Sequence, residues 1–69
     1  MIFTDFVLDN GQLIRVECPS KYEDDFWDSI HHAMKLGDSW SPGQFSGCSA
    51  ELLGMRLNQI NFACVVGTF

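Results

Sequence analysis

Positive charge is scarce in this chain. Lys and Arg number 4 against 9 Asp and Glu, for a formal net charge of -5. Binding to a phosphate backbone draws on clustered cations, so direct nucleic-acid binding is disfavoured. Long apolar runs are missing as well. None approaches the ~20 residues that a bilayer-spanning helix needs, and no membrane association is expected. Gly-rich phosphate loops are absent, since Ser41-Pro42-Gly43-Gln44 reads as a turn. The three cysteines, Cys18, Cys48 and Cys64, contain no Cys-x-x-Cys pair. Their odd number argues against a secreted disulfide framework. The opening Met1-Ile2-Phe3-Thr4-Asp5 lacks the basic segment of a secretory signal. A cytoplasmic protein with three reduced, core-filling thiols is the simpler expectation. At 69 residues there is no room for a Rossmann unit or a barrel, so one domain over 1–69 is expected.

What is present is apolar and aromatic. The chain is 46% hydrophobic, with 6 Phe, 2 Trp and 1 Tyr, which places it in the globular class. Ile2 to Leu8 and Leu13 to Val16 flank Asp9-Asn10-Gly11. Asn-Gly between two β-rich runs predicts a hairpin over 2–17 with a type I′ turn. Leu13, Arg15 and Glu17 then point one way, Ile14 and Val16 the other. Pro19 ends the second strand. Ser20-Lys21-Tyr22-Glu23 matches a capping box, and the helix is expected over 20–36, stopped by Gly37. Its buried stripe is Tyr22, Phe26, Ile30, Ala33 and Met34. A turn-rich loop over 37–47 follows. Two strands over 48–68 complete the chain, the first with a bulge at Gly54 and the last a continuous buried strand from Ile60. Residues 50–57 also fit a short helix. The expected fold is α+β, in the order β-β-α-β-β. It is a mostly antiparallel four-stranded sheet with one helix on one face and the other face open.

Four side-chain groups carry candidate chemistry. Glu23, Asp24, Asp25 and Asp28 place four carboxylates on the first turns of the helix. Pairing with the helix dipole explains the first three. Asp24 and Asp28 form a like-charged i,i+4 pair, which suggests a face that meets cations. His31 and His32 are adjacent on a helix and diverge by about 100°, so they cannot chelate one metal. Asp28 with His32 gives two ligands where zinc needs three or four, so no metal or other cofactor is expected. Cys18 is the only cysteine near a helix start, and its acidic surroundings disfavour a thiolate. No enzyme activity is expected. Trp27, Trp40 and Phe45 either close the core or form a contact patch, since aromatic rings dominate binding hot spots.

The acidic helix, the small size and the lack of any enzyme motif resemble the small acidic inhibitors of phages and mobile elements, the anti-CRISPR type. The resemblance is one of size, charge and architecture, without a shared motif. It implies a host-cytoplasmic inhibitor of a nucleic-acid-handling complex such as a CRISPR effector. The leading expectation is a non-catalytic acidic protein that docks on a basic surface of a larger protein. Glu23, Asp24, Asp25 and Asp28 would supply the charge, and Trp27, Trp40 or Phe45 the apolar anchor. A small homo-oligomeric structural or assembly module, a homodimer among the options, using its open sheet face and the last strand from Ile60 to Val66, is the second expectation. A thiol or metal-binding protein is the third.

Overall fold

A computed structural model describes all residues from Met1 to Phe69. The chain opens with strands β1 (Ile2–Leu8) and β2 (Leu13–Cys18), which pair antiparallel from Ile2 opposite Cys18 to Val7 opposite Leu13. The hairpin stands where the sequence places it, but its turn differs. The Leu8 carbonyl accepts from the Gly11 amide, and the Leu8 amide donates to the Gln12 carbonyl. Gly11 has φ +86°, whereas Asn10 does not enter the left-handed region. That is a three-residue loop with a glycine bulge, not the two-residue type I′ turn expected. The Asn10 side chain accepts from the Gln12 amide and favours the wider loop.

Helix α1 (Glu23–Leu36) is preceded by a 3₁₀ turn over Ser20–Tyr22. The expected capping box is not formed. The Tyr22 amide donates to the Pro19 carbonyl in that tight turn, leaving Tyr22 at the N-cap without a side-chain cap. The Ser20 hydroxyl accepts from the Met1 amino group instead. Gly37 ends the helix at φ +61°, its amide bonding the Ala33 and Met34 carbonyls, as a C′ glycine does. Phe26, Ile30 and Ala33 form the buried stripe. Met34, expected within it, is exposed.

Strand β3 (Ser39–Trp40) pairs with β6 (Ile60–Asn61) in a small ribbon. Strands β4 (Ser49–Leu52), β5 (Met55–Leu57) and β7 (Val65–Thr68) join the hairpin in one sheet, ordered β5-β4-β2-β1-β7 with every pairing antiparallel. The fold is therefore α+β with one helix, and the main sheet has five strands where four were expected. One local feature accounts for the extra strand, and a second divides the last strand. Residues 50–57 form a hairpin rather than a bulged strand or a helix, because Leu53 and Gly54 both take positive φ (53° and 78°), as a type I′ turn demands. Residues 60–68, expected as one buried strand, are broken by a 3₁₀ turn over Phe62–Cys64 that the Asn61 side chain caps. Only β7 joins the main sheet, and it lies at an edge with Val66 exposed.

The core lies between α1 and one sheet face. Thr4, Phe6, Ile14, Val16, Cys18 and Ala50 point inward from the sheet. They meet Phe26, Ile30 and Ala33 of the helix, and Trp40, Ile60 and Phe62 of the connecting segments. Phe6 meets Phe62 edge-on at 5.2 Å, a favoured ring geometry. The expectation of three free thiols is corrected. The β2–β4 register carries Glu17 opposite Ser49, so Cys18 and Cys48 fall opposite each other, and they form a disulfide with Cα atoms 4.2 Å apart. Cys64 alone is free.

Candidate functional site

Reversal of the chain at Gly37 sends the segment after the helix back along its flank. A groove of about 610 Å³ opens between α1 and residues 38–45. Asp25, Asp28, Ser29 and His32 line its helix side, in keeping with their i, i+3, i+4 and i+7 spacing. Asp38, Ser39 and Gln44 line the other side, and Ala33, Trp40 and Phe45 supply its apolar surface. No Lys or Arg borders the groove.

Several polar groups there are fixed by neighbours. The Ser29 hydroxyl donates to the Phe26 carbonyl and accepts from the Trp40 indole N–H, each at 2.8 Å. One Asp38 carboxylate oxygen accepts from the Ser39 amide at 2.8 Å, leaving the other free. The Gln44 side-chain amide donates to the Ser41 carbonyl, which leaves its own oxygen as an acceptor. The groove therefore presents carboxylate and carbonyl oxygens, a set that suits a cationic hydrogen-bond donor. Nowhere in the chain do three His, Cys, Asp or Glu side chains group closely enough to hold one metal ion.

The structure separates the seven residues singled out from the sequence. Asp25, Asp28, Trp40 and Phe45 border the groove. Glu23 and Asp24 are exposed but do not line it. Trp27 is half-buried on another side of the helix, edge-on to Phe26 at 5.1 Å and 6.0 Å from the His31 ring. The three rings do not make one patch, because Phe26 stands between the two tryptophans. Trp40 belongs to the core at 3% exposure, and its indole N–H is already bonded. Phe45, half-buried and tilted between Tyr22 (5.4 Å) and Trp40 (6.3 Å), is the partly exposed ring at the groove. Asp38 was not among the sequence candidates. Its signal was its place directly after the helix-ending glycine, where a reversing chain passes the last turns of the helix.

The sheet face away from the helix has its own charge pattern. Arg15 donates to both carboxylate oxygens of Asp5, at 3.1 and 3.3 Å. That hydrogen bond and the Asp5 charge hold the Arg15 pKa above its ordinary value. It is the one ion pair in the structure. No helix is long and apolar enough to cross a membrane. No family model, no curated protein and no solved structure matches this chain.

Proposed function

We propose that this chain is a non-catalytic acidic binding protein that docks on a basic surface of a larger protein. The convergence of Asp25, Asp28 and Asp38 on one groove without a compensating Lys or Arg carries the reading. Arginine suits the groove better than lysine. A planar guanidinium pairs with carboxylates through two parallel hydrogen bonds, which a compact ammonium cannot do. The buried-side hydroxyl of Ser29 is engaged at both ends, which supports binding rather than nucleophilic chemistry. Where the target surface handles nucleic acid, this chain competes with the phosphates. A nucleic-acid-handling complex such as a CRISPR effector is the target class that the resemblance implies.

The test compares two charge reversals of equal size. Asp25→Lys/Asp28→Lys alters the groove, and Glu23→Lys/Asp24→Lys alters only the helix surface beside it. Each changes the net charge by +4, from -5 to -1. An Arg-rich peptide and a Lys-rich peptide of equal charge serve as titrants at physiological salt. The groove variant is expected to lose the Arg-rich peptide by more than about tenfold, since a charge-assisted hydrogen bond contributes about 1.5–3 kcal/mol. The other variant should stay within about threefold of wild type. Equal losses in both variants would show that only net charge matters, and the groove reading would fall.

A further inference from the structure

The open face of the main sheet carries an ordered row of charge. Residues directly opposite each other in a sheet share a face, and the register places Asp5 opposite Arg15, Arg15 opposite Glu51 and Glu51 opposite Arg56. Across β1, β2, β4 and β5 the row reads minus, plus, minus, plus. Only its first two members form an ion pair within the chain, so Glu51 and Arg56 are exposed without one. Apolar side chains border the row. Leu13 (46% exposed) and Leu53 (77%) share a shallow recess with Asp5, Arg15 and Glu51 on one side. Phe3 (61%) and Phe69 (82%) share another with Asp5 and Arg15.

An alternating row of four is complementary to its own reverse. We infer that this face docks on a second copy of the chain, sheet against sheet, about a two-fold axis parallel to the strands. Rotation about that axis exchanges β1 with β5 and β2 with β4. Asp5 then faces the second copy's Arg56, and Arg15 faces its Glu51, so each cation meets a carboxylate. The groups without an ion pair in the chain gain one. Leu13 and Leu53 lie at one level on β2 and at the β4–β5 tip, and the same rotation sets Leu13 on the second copy's Leu53. A two-fold along the row would instead set Asp5 on Asp5 and Arg15 on Arg15, so charge selects one of the two stackings. The acidic groove lies on the helix side and stays open in this dimer.

Sedimentation equilibrium of the full chain, from micromolar to millimolar concentration, tests the inference with two single charge reversals. Wild type should show a reversible monomer–dimer equilibrium. Arg15→Glu and Glu51→Arg should each weaken it by more than about tenfold, since each creates two symmetry-related repulsions. An equimolar mixture of the two variants should associate as wild type does, because a reversed site on one chain then meets its complement on the other. The mixture also averages to the wild-type net charge of -5, which removes net charge as the cause. Leu53→Asp gives an independent probe, since Asp tolerates positive φ, and it too should be monomeric while far-ultraviolet circular dichroism stays native. A wild type that remains monomeric at millimolar concentration overturns the inference. So does a dimer insensitive to all three substitutions, or a mixture that fails to associate.

Discussion

Leu53→Asn should make the monomer more stable although it replaces a leucine with a polar residue. Leu53 is the only non-glycine residue with positive φ, at 53°, in a two-residue turn with Gly54 at 78°. An L-residue other than Asn, Asp or Gly pays about 1–2 kcal/mol there, because its Cβ crowds the backbone carbonyl. The side chain recovers little, being 77% exposed. Full burial of a leucine contributes about 1.5–3 kcal/mol, so the hidden quarter contributes about 0.5 kcal/mol. Asn-Gly is the preferred pair for this turn. The net gain should be about 1 kcal/mol, a rise in Tm of about 4–8 °C for a domain of this size. Thermal and urea unfolding at low micromolar concentration measure it free of association. The same substitution removes an apolar contact from the proposed dimer face and should weaken self-association. Opposite signs in the two assays are the expected result. A lower Tm for Leu53→Asn at low concentration would refute the argument that the turn is strained.

Two further outcomes concern the core. The Cys18–Cys48 bond closes a 30-residue separation. By loop entropy it should contribute about 3–4 kcal/mol, so Cys48→Ser or a reductant should lower the urea midpoint sharply; an unchanged midpoint would contradict the bond's role. Ser29→Ala looks harmless on a helix flank. It leaves the Trp40 indole N–H without its partner and should cost about 1–3 kcal/mol in denaturant unfolding, with a loss below a few tenths arguing that water replaces the hydroxyl.

Legibility in the sequence followed the range of the interactions. The first hairpin, the single helix and its stop at Gly37 rest on period-two alternation, a 3.6-residue stripe and one left-handed glycine, all local. The Leu53-Gly54 turn carries no such mark, because its first residue is one that turns avoid and only the cross-strand pairing holds it. The run from Ile60 to Val66 reads as one strand because nothing in it punctuates. The break comes from the Asn61 side chain accepting the Ala63 amide and from Ile60 pairing with Trp40, a partner 20 positions earlier. The acidic helix face was visible, but the division of its carboxylates was not. Asp25 and Asp28 line the groove while Glu23 and Asp24 do not, because the returning loop covers only one flank. The Cys18–Cys48 bond and the charge row depend on which residue lies opposite which, and register between β2 and β4 spans more than 30 residues of chain.

The two proposed surfaces lie on opposite sides of a thin molecule, and that placement limits what they can do together. The core fills only the layer between α1 and one sheet face, so a sheet-to-sheet dimer stacks as helix, sheet, sheet, helix. Each acidic groove then lies in an outer helix layer, with two sheets between the two grooves. Grooves held apart by two sheets cannot both close on one basic patch narrower than that separation. Avidity requires that both sites be reached at once, and it vanishes where geometry forbids this. A dimer of this chain therefore gains nothing at a single isolated patch and binds it no better than the monomer does. Its advantage arises only when two basic surfaces are held one dimer's thickness apart, as in a cleft or between two copies of a target. In the proposed dimer the charge row sets that spacing, the groove supplies the carboxylates, and the five-stranded sheet lies between the two.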